Sequence, residues 1–320
     1  MINWDFINPL SRTYLIGYWL SRAPYALGLR KSQPAPIDTI CVGNLYVGGS
    51  GKTPVAMAII QQQLDQGRRV GYLSRGYGRK TRGPLRVDHH IAQSAEGWKQ
   101  YGDETCVVAR QFPNIQLVVA ERRLKGYRLF DQVDIVIMDD GMQHWAIQPQ
   151  HMTVCVPAGV WPAQQSLLPT GRLREPHHQI QRADSVMVTR WTHGCGGIDD
   201  AKDALAQSGW HGPVHLMIES VGETAWPQGD YAALAGLAQS NRAIDRWEDQ
   251  IGRRATKRLA LSDHQAISMS SWRNLTRNGE MPLVLSAKDA VKLPQKALEA
   301  QNHIVVQHQA NWRDEPPHKW

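Results

Sequence analysis

The stretch Gly43-Asn-Leu-Tyr-Val-Gly-Gly-Ser-Gly-Lys-Thr-Pro54 has the residue types and spacing to hold a polyphosphate. Gly48, Gly49 and Gly51, with Ser50 among them, let backbone N–H groups converge on phosphate oxygens. Lys52 brings a positive charge to the terminal phosphates, and Thr53 offers a hydroxyl to Mg2+. A helix starting there points its N-terminus at the anion. The strict pattern G-x-x-x-x-G-K-[ST] has a first glycine where this chain has Tyr46, so the loop is a variant. Even so, Gly-Gly-x-Gly-Lys-[Ser/Thr] should arise by chance in only roughly one chain of this length in a thousand.

Four further segments carry candidate chemistry. Asp134-Ile-Val-Ile-Met-Asp-Asp-Gly141 reads as a buried strand ending in two acids. At the C-terminal end of a parallel strand, Asp139 or Asp140 could hold Mg2+ opposite Thr53. The two would point to opposite faces if the strand ran through them. Asp103 opens a helical stretch and is either an N-cap or a general base, and pattern alone favours the cap. Asp263-His264 lies between a strand and a helix, where Asp263 could again cap and a lone histidine is seldom catalytic. In Leu168–Pro176, Arg172 and Arg174 suit phosphate or carboxylate recognition and Glu175 could add to a metal site. The simpler reading of that loop is a solvated turn.

The elements that must position these residues follow an α/β pattern. Short apolar runs at 39–42, 70–73, 116–119, 135–138, 153–156, 186–189 and 214–218 alternate with helical stretches such as 55–64 and 105–110. That is the signature of a parallel sheet covered on both faces. Composition turns polar and Gly/Pro-bearing near 220–230. Beyond it, apolar runs at 232–237, 258–261, 283–285 and 304–306 and helices near 242–251 and 266–276 suggest a smaller α/β unit. The tail 311–320 reads as frayed.

The 320 residues carry 36 Lys+Arg against 29 Asp+Glu, a net charge of +7, which fits an anionic partner without selecting one. Hydrophobic residues at 42% exclude a wholly disordered chain. The basic residues form no aromatic-interleaved stripe, which argues against nucleic acid. The four cysteines have no clip spacing and fit reduced thiols in a cytosol. Tryptophan and tyrosine (12 and 9) outnumber phenylalanine (3), a bias towards half-wet places such as membrane interfaces. Between Arg12 and Arg22 the uncharged run is too short to span a bilayer. Leu15, Tyr18, Trp19 and Arg22 recur at helical spacing. Residues 9–30 therefore read either as a helix on a membrane surface, with Arg12, Arg22, Arg30 and Lys31 near headgroups, or as a helix packed on the core.

Taken together, these segments resemble the tetraacyldisaccharide 4'-kinases, the lipid A 4'-kinases of Gram-negative bacteria. The likeness runs almost end to end. It rests on the phosphate loop, Ser74-Arg-Gly-Tyr-Gly78, Gly102-Asp-Glu104, Asp139-Asp-Gly-Met-Gln-His144, Leu168-Pro…Gly171, Leu173-Arg-Glu-Pro176, Asp263-His264 and Lys288-Asp-Ala-Val-Lys-Leu293. The resemblance implies an interfacial segment over 1–30, a P-loop NTPase-like core over 31–225 and a smaller C-terminal α/β domain over 226–320. It implies a monotopic enzyme on the cytoplasmic face of the inner membrane that transfers the γ-phosphoryl of ATP, with Mg2+, to the 4'-hydroxyl of an acylated glucosamine disaccharide 1-phosphate, forming lipid IVA. By the same resemblance Asp103 is the base, partnered by His264 from the second domain, so that domain closure would assemble the pair. Lys52 and Thr53 become nucleotide and Mg2+ contacts, Asp139, Asp140 and Glu175 the metal and phosphate-positioning acids, and Tyr77 and Arg174 substrate contacts.

The chain departs from the family's usual residues at Thr105, Gln265, Gly236–Ile244 and Leu285-Ser-Ala-Lys-Asp289. Two other readings stay open: a nucleotide-switch ATPase of the metallochaperone or partitioning type, and a non-catalytic nucleotide-binding relative. Dependence of ATP turnover on a lipid acceptor separates them.

Overall fold

The computed structural model describes residues 9–221, 225–237, 240–262, 264–300 and 302–313. Asp263, residues 1–8 of the proposed interfacial segment and residues 314–320 of the tail lie outside them. The chain forms two compact units, and each is built from separate stretches: 1–73, 123–219 and 310–320 in the first, 74–122 and 220–309 in the second.

In the first unit, neighbouring strands run in the order His308–Trp312, Val214–Val221, Ser185–Thr189, His151–Pro157, Asp38–Gly43, Ile135–Asp139, Val70–Ser74. From Val214–Val221 to Val70–Ser74 the pairings are parallel. Runs such as Ile135-Val-Ile-Met-Asp139 and Ser185-Val-Met-Val-Thr189 are buried at every position. A strand covered on both faces cannot alternate with polar residues, so it reads as continuous hydrophobe. The strand before the phosphate loop lies between the acid-bearing strand and His151–Pro157, and its Val42 pairs with Asp139. That register brings the end of one strand beside the end of the other. The helix Lys52–Asp65 returns across the sheet on Val55, Ala56, Ile59 and Ile60. The tail expected to fray from 311 is ordered at its start, since Asn311 and Trp312 end a strand and Arg313 donates its amide to Leu216 O (3.0 Å).

The helix Pro9–Ala26 buries Ser11, Leu15 and Tyr18, one stripe at i, i+4, i+7. Ser11 Oγ donates to Leu167 O (2.9 Å), and Tyr14 OH to Arg174 O (2.8 Å). The opposite side exposes Leu10, Ile16, Trp19 and Leu20, and Leu27 and Leu29 follow. The core-packing reading therefore holds for one face, while the other carries apolar residues in solvent. Arg22 is not directed outward as expected. It pairs with Glu175 (3.7 Å) and lies over the Trp145 ring (4.6 Å).

The second unit contains a four-stranded parallel sheet in the order Lys257–Ala260, Ala232–Ala235, Leu283–Ser286, His303–Val306. Its strands alternate: Ala232, Leu234, Leu283 and Leu285 pack towards Trp272 and Leu275 of helix Met269–Thr276. Ala233, Ala235 and Val284 pack towards Ile244 and Trp247 of helix Ser240–Ile251. The segment 74–122 contributes three short helices and an antiparallel pair, Leu85–Arg86 with Val118–Val119. Chain order places this segment in the core, whereas compactness places it here, because the helix Asp103–Gln111 packs on the turn Ala287–Ala290.

Candidate active site

The phosphate loop is braced from within and by neighbouring segments. Asn44 Nδ2 donates to Ser50 Oγ (2.6 Å), and Thr189 Oγ1 to Ser50 O (2.9 Å). Gly48 (φ 88°) and Gly51 (φ 77°) occupy the left-handed region, and Gly51 caps the following helix. Gly43 ends the strand so close to Met142 that a Cβ would lie 2.5 Å from its Cβ. Tyr46 is not a weakened glycine position. Its ring is 1% exposed, its hydroxyl donates to Val160 O (2.6 Å), and it bridges antiparallel to Leu173. Val47 N–H donates to Arg172 O (2.8 Å) and Arg174 N–H to Leu45 O (2.7 Å). The Pro/Gly/Arg loop is thus a buttress of the phosphate loop rather than a solvated turn.

The two acids meet consecutive residues of that loop. Thr53 Oγ1 donates to Asp139 Oδ2 (3.3 Å), which also accepts from Tyr72 OH (2.8 Å). The strand stops at Asp139, and Asp140 turns with φ 51°. The expectation of opposite faces fails for that reason: the left-handed turn carries Asp140 to Lys52 (3.5 Å) and Arg174 (2.9 Å). Burial alone would raise the Asp140 carboxyl, but Lys52 and Arg174 outweigh it and hold it well below the ordinary carboxylate range. Arg174 also reaches the Asn44 side chain. Glu175 is not gathered with these acids. It is fully buried and is met by Arg182 (3.0 Å), Tyr18 OH (3.2 Å) and Arg22 (3.7 Å), which tie the amino-terminal helix down. Beside them a cavity of about 410 Å3 is lined by Tyr14, Tyr18, Ser21, Arg22, Gln143 and Arg174.

The second unit holds the other candidates. Asp103 is not the cap of its helix. Gly102 is, at φ 88°, and a Cβ there would lie 2.8 Å from Tyr77 O. Asp103 comes one residue later, where its Oδ1 accepts the Glu104 N–H (2.9 Å) and its Oδ2 accepts from His264 Nδ1 (2.8 Å). Asp103 and His264 therefore belong to one compact unit. Tyr77, 61% exposed, sets its ring 4.8 Å from the imidazole. Burial would raise the Asp103 carboxyl, but the His264 hydrogen bond, Lys288 and Lys292 outweigh it and hold it below its ordinary value. Sequence reasoning assigned no role to these two lysines, although Lys288-Asp-Ala-Val-Lys292 places them one helical turn apart, on one face.

Among the described residues, no three His, Cys, Asp or Glu side chains gather as a metal cluster. The model of the family described as tetraacyldisaccharide-1-P 4'-kinase matches residues 4–319. The tetraacyldisaccharide 4'-kinase of Shewanella piezotolerans is 33% identical over 288 residues, 89% of this chain and 82% of that protein. That of Delftia acidovorans is 34% identical over 302 residues, 89% of this chain and 81% of the relative. A crystal structure of LpxK from Aquifex aeolicus in complex with ATP superposes with a TM-score of 0.75 at 25% identity, covering 96% of this chain and 94% of the other.

Proposed function

Since the chain belongs to the tetraacyldisaccharide-1-P 4'-kinase family, we propose that it phosphorylates the 4'-hydroxyl of tetraacyldisaccharide 1-phosphate with the γ-phosphoryl group of ATP, forming lipid IVA for lipid A. The observation that carries this reading over a nucleotide switch is the buried Asp103 carboxylate paired with His264 at 2.8 Å. A carboxylate kept ionised out of water is suited to accept a hydroxyl proton, which a switch does not need.

The phosphates of ATP bind the N–H groups of Gly48–Thr53, and Lys52 exchanges its contact with Asp140 for the terminal phosphate. Mg2+ suits the oxygen donors Thr53 and Asp139, and when bound would neutralise charge on the phosphates. Asp140 and Arg174 orient Lys52 and the loop. Glu175, tied to two arginines, serves the amino-terminal helix rather than the metal. In the transfer, the sugar oxygen bonds to the γ-phosphorus, the bond to the bridging oxygen of ADP breaks, and the hydroxyl proton passes to Asp103. Tyr77, on the exposed side of His264, is placed to meet the sugar.

No described helix is long and apolar enough to cross a membrane. The outward Leu10, Ile16, Trp19 and Leu20, with Arg30 and Lys31 at the end of the segment, support a peripheral, monotopic seat on the cytoplasmic face of the inner membrane. Seated there, the enzyme need not extract the acyl chains of its acceptor.

The test is transfer of label from [γ-32P]ATP with Mg2+ to tetraacyldisaccharide 1-phosphate in detergent micelles. The expected result is label in the lipid, lost in Lys52→Ala and reduced ~10²-fold or more in Asp103→Ala with nucleotide binding kept. ATP bound by folded protein without label in the lipid would overturn the reading.

A further inference from the structure

We propose that Lys288 is a positioning residue that fixes His264 in its Nδ1–H form, so that Asp103, and not the imidazole, is the member of the pair that takes the proton. This rests on the phosphotransfer reading above for its consequence, though not for its geometry.

The argument begins with the two ring nitrogens. Nδ1 faces Asp103 Oδ2 at 2.8 Å. An ionised carboxylate only accepts, so Nδ1 carries the hydrogen. Nε2 faces Lys288 Nζ at 3.5 Å, and an ammonium only donates, so Nε2 presents its lone pair. The two contacts select the same tautomer. With Nε2 turned to an ammonium and Nδ1 committed to Asp103, the ring has no lone pair to offer a substrate hydroxyl. Asp103 has carboxylate capacity left.

Lys288 is itself held in place. Its Nζ lies 3.5 Å from Glu104 Oε1 and 3.9 Å from Asp103 Oδ2, on the first turn of the helix Asp103–Gln111. Its own turn starts at Ser286, whose Oγ donates to Asp289 Oδ2 (2.6 Å) and accepts the Asp289 N–H (3.2 Å). Asp289, fully buried, also accepts the Gly236 N–H (2.9 Å) and meets Lys292 (3.0 Å). A Cβ at position 236 would lie 2.6 Å from Asp289 Oδ1, so glycine there lets the acid sit against the sheet. Lys292, 1% exposed in its side chain and 3.9 Å from Asp103 Oδ2, adds a second fixed charge from behind. From the other side, His264 is held at φ 64°, a conformation that costs a non-glycine residue, with Tyr77 against its ring. The lysine turn and the first turn of the helix Asp103–Gln111 thus hold one imidazole from both nitrogens.

The experiment reads the tautomer directly, by long-range 1H–15N correlation spectra of the full chain in detergent. One of the 13 histidines is assigned to His264 by its loss in His264→Gln. The unsubstituted protein is expected to show the Nδ1–H pattern, Lys288→Arg to keep it, and Lys288→Met to lose it at unchanged thermal stability. In parallel, Lys288→Met is expected to lower kcat roughly tenfold or more with KM for Mg-ATP within about twofold, and Lys288→Arg to recover most of it. An Nε2–H pattern in the unsubstituted protein, or a spectrum that Lys288→Met leaves unchanged, overturns the inference even if lipid phosphorylation is robust. A tautomer that responds as expected in a protein that never labels the lipid overturns the phosphotransfer reading and leaves the role of Lys288 standing.

Discussion

Tyr46 stands where the strict phosphate-loop pattern has glycine, and restoring the pattern should damage the protein rather than improve it. The side chain is 1% exposed and its hydroxyl donates to Val160 O at 2.6 Å. Tyr46→Phe removes only that hydrogen bond and leaves a carbonyl unmet, a cost of about 1–2 kcal/mol. Tyr46→Ala also removes a buried ring, for a total of about 3–5 kcal/mol. Tyr46→Gly adds about 0.5–1 kcal/mol of backbone entropy. At about 2–4 °C per kcal/mol for a unit of this size, Phe should lower Tm by a few degrees and Gly by about 7–24 °C. The assay is thermal unfolding followed by near-UV circular dichroism, where the tryptophans report packing, with ATP affinity measured at a temperature at which all variants are folded. ATP affinity should follow the order Tyr, Phe, Gly, because the buried ring supports the loop and its hydroxyl ties it to Val160 O. A Tyr46→Gly protein as stable as the parent, or one binding ATP more tightly, would refute the view that this residue supports the loop in place of a glycine.

Gly102→Ala should cost at least about 2 kcal/mol, since it combines a left-handed backbone with a Cβ 2.8 Å from Tyr77 O, and should lower kcat more than it raises KM for ATP by displacing Asp103; matched kinetics would separate the cap from the base. Trp19→Glu with Leu20→Glu should leave stability within about 1 kcal/mol of the parent and weaken binding to anionic vesicles at least tenfold, whereas Leu15→Ala should destabilise by about 2–5 kcal/mol; cosedimentation and thermal unfolding distinguish the two faces. Because the Asp103 carboxyl titrates below its ordinary value of 3.8, its contribution to stability is fully present above that pH and is lost as pH falls through the lower folded value. Denaturant titrations should therefore find the difference between the parent and Asp103→Asn constant from pH 7 to about 5 and shrinking below about 4.

The phosphate loop, the strands of the parallel sheet and the acid-bearing strand end were legible in the sequence because each depends on local chemistry. Glycines adjoin a lysine and a threonine, and a covered strand needs an unbroken apolar run. Lys52, Thr53, Asp139 and Asp140 could be named together on that basis. What local chemistry could not reach was partnership. Asp103 looks like a helix cap until Gly102, which must be glycine to pass Tyr77, takes the cap and leaves the acid one residue inward, against His264. Glu175 looks like a metal acid until Arg182, from the short helix just after it, and Arg22, from the distant amino-terminal helix, close on it. Asp140 looks like the outward member of an alternating pair until a left-handed residue ends the strand and turns it to Lys52. The two lysines beside Asp103 belong to a motif of the family resemblance but show no role by spacing, since a lysine at i and i+4 is ordinary on any exposed helix face. They become distinctive only because Asp289 and Gly236 bury their turn against the sheet. The residue types a chemistry requires are encoded locally; which charges neutralise one another depends on side chains from different elements, as with Asp103 and His264, and only the packed chain brings those together.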